Sequence, residues 1–127
     1  MFWKKKKKFI VDDFSFLKDY GFSSKDYTCN AETDYAFTRN DLTISVYYYL
    51  GILETYKKQM CLDVVITFGD ILGDNRRNLL KATDIFGEEL INKLIADIKD
   101  LDADAQVPIY AKFLKDNIDT LLNYKVK

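Results

Sequence analysis

The sequence predicts an α+β fold: an N-terminal helix, a three- or four-stranded antiparallel meander, and two C-terminal helices packed on the sheet. Three observations carry this. From Leu42 to Leu50 in "LTISVYYYL", apolar and polar residues alternate with the period of two expected of a half-buried strand. "CLDVVITF", Cys61 to Phe68, repeats that alternation. Beyond residue 88 the period changes to that of a helix, with apolar residues three and four apart.

Taken in order, "MFWKKKKKFIVDDF" opens the chain with five consecutive lysines, Lys4 to Lys8. Only Phe9, Ile10 and Val11 follow before Asp12 and Asp13 interrupt, so the stretch falls short of a signal peptide's apolar run. Residues 1–8 read as a solvated, disordered basic end, and residues 9–127 as one domain. In "FIVDDFSFLKDYGF", Phe9, Ile10, Phe14, Leu17 and Phe16 share one side of a helix that Gly21 stops, with Phe22 folding back onto it. "SSKDYTCNAET" has no clear period and reads as loop, with a short strand at Tyr27–Cys29 as its one regular element.

Tyr35 and Phe37 then alternate with Ala36 and Thr38, and Asn40-Asp41 forms a tight turn. Leu42, Ile44, Val46, Tyr48 and Leu50 take one face of the next strand; Thr43, Ser45, Tyr47 and Tyr49 take the other. Gly51 marks a bulge or bend. "KKQM" connects to the return strand, whose Leu62, Val64, Ile66 and Phe68 point inward. "GDILGDNRRN" is a polar loop, and "LLKATDIF" suits a fourth edge strand or a short helix. Leu90, Ile91, Leu94, Ile95, Ile98 and Leu101 mark one helix. Tyr110, Phe113, Leu114, Ile118, Leu121 and Leu122 mark the other, with Asp102 or Asp104 as N-cap and Pro108 in its first turn.

Composition limits the chemistry. There are 127 residues, 48% hydrophobic and 15% aromatic, enough for one core. Histidine is absent, which removes the usual general base, the commonest zinc ligand and every nucleophile–histidine pair. Cys29 and Cys61 read as small buried hydrophobes of a reducing compartment, a bridge between them being the lesser alternative. No phosphate-binding glycine loop or EF-hand spacing occurs. Asp63 and Glu54 with Lys57 resemble the acidic-strand-plus-lysine pattern of metal nucleases, but two residues rather than one separate Glu54 from Lys57. The chain is therefore expected to be no enzyme and to need no cofactor or metal.

Charge points towards a protein partner. The net charge is −1, yet without Lys4–Lys8 the remaining 14 basic residues face 20 acidic ones, leaving −6. Such a body repels nucleic acid and attracts basic protein surfaces. Tyr47 and Tyr49, with Asp63 and Thr67 expected on the same face, form either an interface or a layer packed under a helix or loop. Arg76-Arg77 suits either a grip on phosphate or carboxylate, or a solvated loop with ion pairs to Asp70 and Asp74.

The helix ending "FLKDYGF", then "YAFTRNDLTISVYYY", "LDVVITF" and the final "IYAKFLKDNIDTLL" together resemble small bacterial immunity proteins encoded beside polymorphic or contact-dependent toxins. The likeness runs from Asp12 to Leu122 as a pattern of elements, without a diagnostic motif. It implies a cytoplasmic, non-catalytic inhibitor that blocks one toxin sterically and electrostatically. The contact residues expected are Tyr47, Tyr49, Asp63, Asp70 and Asp74, facing a basic toxin domain. The alternatives are an adaptor that touches a membrane surface through Lys4–Lys8, or a metal-dependent carboxylate enzyme.

Overall fold

The computed structural model describes residues 12–29, 32–52, 58–69 and 75–126. Five antiparallel strands form one sheet in sequence order: β1 (Ser23–Cys29), β2 (Glu32–Arg39), β3 (Leu42–Ile52), β4 (Lys58–Phe68) and β5 (Arg76–Asn78). A 3-10 turn (Leu79–Lys81) leads into four helices, α1 (Thr83–Phe86), α2 (Glu88–Ile98), α3 (Ala103–Asp116) and α4 (Ile118–Leu122). The α+β class and the meander are as expected, but the sheet has five strands rather than three or four.

The two extra strands arise where local pattern is weak. Serine, lysine and aspartate at residues 23–26 disfavour a strand by propensity, yet every residue of β1 pairs with β2, from Ser23↔Thr38 to Cys29↔Glu32. β5 is three residues cut from the expected polar loop and pairs Val65↔Asn78 through Thr67↔Arg76. The ambiguous "LLKATDIF" is helical. Asn78 fixes this choice, as its side chain accepts from the Leu80 N–H at 2.9 Å and caps the 3-10 turn.

At the N-terminal end, helical residues 12–14 tighten into a 3-10 turn, Ser15–Tyr20. Phe9 and Ile10 lie outside the described residues. Gly21 ends the turn at φ 88°, with its N–H donating to the Lys18 carbonyl and that of Phe22 to Leu17, both at 3.1 Å. This is the Schellman arrangement, which needs the left-handed conformation glycine adopts without strain. Leu17 and Phe22 are both buried in the core it closes.

β3 and β4 run eleven pairs in unbroken register, from Leu42↔Phe68 to Ile52↔Lys58. Gly51 sits within that ladder, opposite Gln59, and makes no bulge. Its reason is space: a Cβ there would lie 2.6 Å from Cys61 Sγ. Nor is "KKQM" a connection, since residues 58–60 already belong to β4. Cys61 is a free thiol, half-buried rather than fully buried.

The inner face of the sheet carries Tyr35, Phe37, Ile44, Val46, Tyr48, Val64 and Ile66, all buried against Leu94, Val107, Tyr110, Leu114 and Leu121 of the helices. Tyr48 is 2% exposed, as its place on the aliphatic face predicts. Its hydroxyl donates to Asp104 Oδ1 on α3, which ties the middle strand to the helical layer. Burial, reinforced by that hydrogen bond to a carboxylate, pushes the Tyr48 phenol well above its ordinary range. Tyr110 shifts the same way, chiefly through burial and then through the charge of Asp63.

Asp102, not Asp104, caps α3 by accepting from the Ala105 N–H at 2.8 Å. The helix therefore starts early enough to put Pro108 beyond its first turn, where the Asp104 carbonyl loses a backbone donor. The expected single last helix divides at Asn117, whose side chain donates to the Phe113 carbonyl at 2.9 Å. On α2, Ile91, Leu94 and Ile98 face the core, whereas Leu90 and Ile95, and Leu101 just beyond the helix, are exposed. Among the described residues no helix is long and apolar enough to cross a membrane.

Two stability measurements check this account. Gly51→Ala is expected to cost about 1–3 kcal/mol through overpacking. In a Cys61→Ala background the same change should instead gain roughly 0.5 kcal/mol, since alanine is less flexible than glycine when unfolded. A cost independent of Cys61 in denaturant unfolding would refute the steric argument. Separately, Asp104→Ala should lose about 1–3 kcal/mol by leaving a buried phenol without its acceptor, while Asp104→Asn, which keeps an acceptor, should lose less. Equal losses would show that the hydrogen bond is not the cause.

Candidate functional site

The strand period places the other half of each strand on the outer face, where no helix packs among the described residues. Register sorts these side chains into rows. Asp34, Tyr47 and Asp63 face one another across β2, β3 and β4. The next row is Ala36, Ser45, Val65 and Asn78, and the one after it is Thr38, Thr43, Thr67 and Arg76. Ser45, Val65 and Thr67 are buried, so small side chains form a floor. Tyr47 and Tyr49, half-buried, stand as walls.

The walls are held in place. Tyr49 Oη donates to Asp63 Oδ2 at 2.8 Å, across the diagonal between β3 and β4. Arg76 approaches Tyr47 from β5, with an Nη donating to Tyr47 Oη at 3.4 Å and the guanidinium carbon 5.9 Å from the ring centroid. That distance allows a cation–π contact. Together with Val65, Arg77, Asn78 and Lys81, these residues line an open cleft of about 610 Å³.

Of the expected contact residues, Tyr47, Tyr49 and Asp63 are brought together on one side of this cleft. Asp70 and Asp74 lie outside the described residues, as do Glu54, Lys57 and Lys4–Lys8. Among the described residues, three basic residues, Arg76, Arg77 and Lys81, and one acidic residue, Asp63, line the cleft. Sequence reasoning missed Asn78 and Lys81, and it treated Arg76-Arg77 as loop. The available signal was the turn-forming composition of "GDN" before "RR" and the apolar Leu79 after "RRN", which together suit a short edge strand.

The adjacent arginines have opposite roles because consecutive strand residues point to opposite sides. Arg77 forms an ion pair with Asp84 of α1, and Tyr124 Oη donates to the same carboxylate at 2.7 Å. The Arg77 guanidinium also lies 6.0 Å from the Tyr124 ring, which in turn packs against Phe68 at 5.3 Å. The Arg77 hydrogen bond, supported by that of Tyr124, holds the Asp84 carboxyl below its ordinary range. Arg77 is held above its own.

Two further concavities occur. A groove of about 340 Å³ between α2 and α3 is lined by apolar Leu90, Ile109 and Phe113 and by charged Lys93, Asp97, Lys112 and Asp116. A shallower one joins Asp12, Asp13 and Asp19 to Lys112 and Lys115. Burial, then the neighbouring Asp12, raises the Asp13 carboxyl. Among the described residues, no group of three or more acidic or cysteine side chains is arranged to hold a metal ion. Compared with known proteins, the chain matches no family model, no curated protein and no solved structure.

The Asp84 assignment predicts a pH dependence. A carboxyl whose folded pKa lies below the unfolded value of about 3.9 stabilises the fold above that value and loses the contribution as pH falls through the folded pKa. Because Asp84 is half-exposed, the effect is small, about 0.2–1 kcal/mol. Wild type should thus melt slightly above Asp84→Asn at pH 7, and the gap should close on acidification below about pH 4. A gap unchanged down to the lowest pH would contradict the ion pair.

Proposed function

We propose that this chain is a non-catalytic binding protein, an immunity protein that works in the cytoplasm by occupying a cognate bacterial toxin. One observation carries the reading: an aromatic sheet face that no described helix covers, with its side chains already fixed by hydrogen bonds. Protein interfaces favour tyrosine, which combines a large apolar area with a polar tip and few rotatable bonds. Here Asp63 restrains Tyr49 and Arg76 restrains Tyr47, so less side-chain freedom is lost on binding.

A rigid inhibitor of this kind needs no turnover and no cofactor. It acts by placing a shaped, charged surface over the toxin's site. The acidic body supplies long-range attraction to a basic toxin, and the outer face supplies the short-range contact.

The test uses the toxin domain encoded by the neighbouring gene, purified and titrated with the full chain. Tyr47→Ala and Tyr49→Ala are each expected to cost about 2 kcal/mol of affinity, the scale of interface hot spots, with melting temperature little changed. A matching loss of protection should appear in cells that express the toxin. Unaltered affinity in the double variant would remove the outer face from the interface.

A further inference from the structure

The cleft carries positive charge on a body that is otherwise acidic, and two of its cations have work left to do. Arg76 presents a fork of N–H donors, of which one Nη is directed at Tyr47 Oη at the long distance of 3.4 Å. Neither Arg76 nor Lys81 forms an ion pair with any described residue. Arg77 differs, because Asp84 already neutralises it. Asp63 differs too, because Tyr49 already donates to it. Counting the Arg77–Asp84 pair as neutral, Arg76 and Lys81 outweigh Asp63 by one positive charge among the described residues that line the cleft.

We infer that this cleft seats an aspartate or glutamate side chain on an extended acidic segment of the partner protein, with Arg76 and Lys81 gripping the carboxylate beside the Tyr47 ring. The inference rests on the proposed binding role and names the chemistry of its central contact.

Geometry favours a carboxylate. A guanidinium fork matches two carboxylate oxygens in one plane, and such pairs are shorter and stronger than neutral hydrogen bonds. Phosphate sites typically add backbone N–H groups from a helix N-terminus or a glycine-rich loop. The walls here are instead side chains of the strands and of the 3-10 turn after β5, and Asp63 opposes a doubly charged group more than a singly charged one. The Tyr47 face offers apolar contact to the methylene groups beneath a carboxylate. The cleft also opens beside β5, only three residues long, and continues onto the Tyr47 and Tyr49 face where the partner is proposed to lie.

The full chain, labelled with nitrogen-15, is titrated at low salt with a capped Gly-Glu-Gly-Glu-Gly peptide. Its glutamine counterpart and inorganic phosphate serve as comparison probes. Amide shifts are expected to cluster at Tyr47, Arg76 and Lys81 with the glutamate peptide, and to be far smaller with the glutamine one. Arg76→Gln should weaken the glutamate peptide by about tenfold, and Arg76→Gln with Lys81→Gln should abolish the clustered shifts. Shifts scattered over the surface, equal binding of the glutamine peptide, or stronger binding of phosphate at the same residues would each overturn the inference. The two proposals fail separately. If Tyr47→Ala weakens the toxin but the glutamate peptide does not bind, only the carboxylate seat is lost. If the peptide binds but the tyrosine variants hold the toxin unchanged, only the assignment of the toxin contact to the outer face is lost.

Discussion

The long pairing of β3 with β4 is the constraint on which the rest of this molecule depends. Strand side chains alternate between faces, so a shift of one residue would exchange every inward group for an outward one. In the observed register, Ile44, Val46, Val64 and Ile66 all reach the helical layer. A slip would put Ser45, Tyr47, Asp63 and Thr67 there instead, including a carboxylate with no compensating cation. The difference between burying branched aliphatics and burying that set is many kcal/mol, on the order of 1.5–3 for each large apolar side chain alone. Segregation of core from candidate site is therefore one decision, taken once along eleven residue pairs. Gly51 lets the ladder continue past Cys61 where any larger residue would press on the sulfur.

Polar contacts then fix how the helices lie on that sheet. Hydrophobic packing is non-directional and would tolerate several positions of α3. The Tyr48 hydroxyl, buried beneath the helical layer, needs an acceptor, and Asp104 supplies it near the start of that helix. At the other edge, Asp84 gathers Arg77 of β5 and Tyr124 after α4 into one cluster, which joins the short edge strand to the C-terminal segment. By holding Arg77 on the inner side, the cluster also sets the orientation of β5. Arg76 must then point outward, onto Tyr47. The site's most accessible guanidinium is thus placed by its neighbour's ion pair.

Much of this was legible in the sequence wherever burial imposes a period. The inward sets of β3 and β4 apart from Leu50, which lies exposed towards the end of β3, the core role of Tyr48, the stop at Gly21 and the turn at Asn40 follow from alternation or from glycine and asparagine chemistry. Asn40 indeed takes φ 52°. Legibility ends where pairing rather than burial makes the strand. β1 presents exposed Ser23, Ser24, Lys25 and Asp26 and is held by its ladder to β2, so no apolar rhythm announces it. β5 is too short for any period to appear. The helix α2 misled in the opposite direction: its apolar stripe is wider than its core contact, so Leu90 and Ile95 remain outside. For the candidate site, the tyrosine face could be read from parity alone. Its basic wall could not, because that wall exists only once β5 is docked against β4.

The whole-chain charge and the cleft's charge act over different distances, and that resolves their opposite signs. Excess negative charge over the body is felt at about a Debye length, roughly 8–10 Å in physiological salt, and would orient a partner of the proposed kind before contact. Arg76 and Lys81 act only once water has been displaced from the cleft, when the effective dielectric falls and a single matched pair counts for far more than it does in bulk water. A partner basic overall but carrying one acidic protrusion would satisfy both. A uniformly basic partner would be drawn in and then meet an excess of positive charge at the centre of the contact, a penalty of several kcal/mol. Discrimination of this kind does not depend on tighter packing. It would follow from setting a local charge against the global one, which the sheet makes possible by delivering one arginine to each of its two faces.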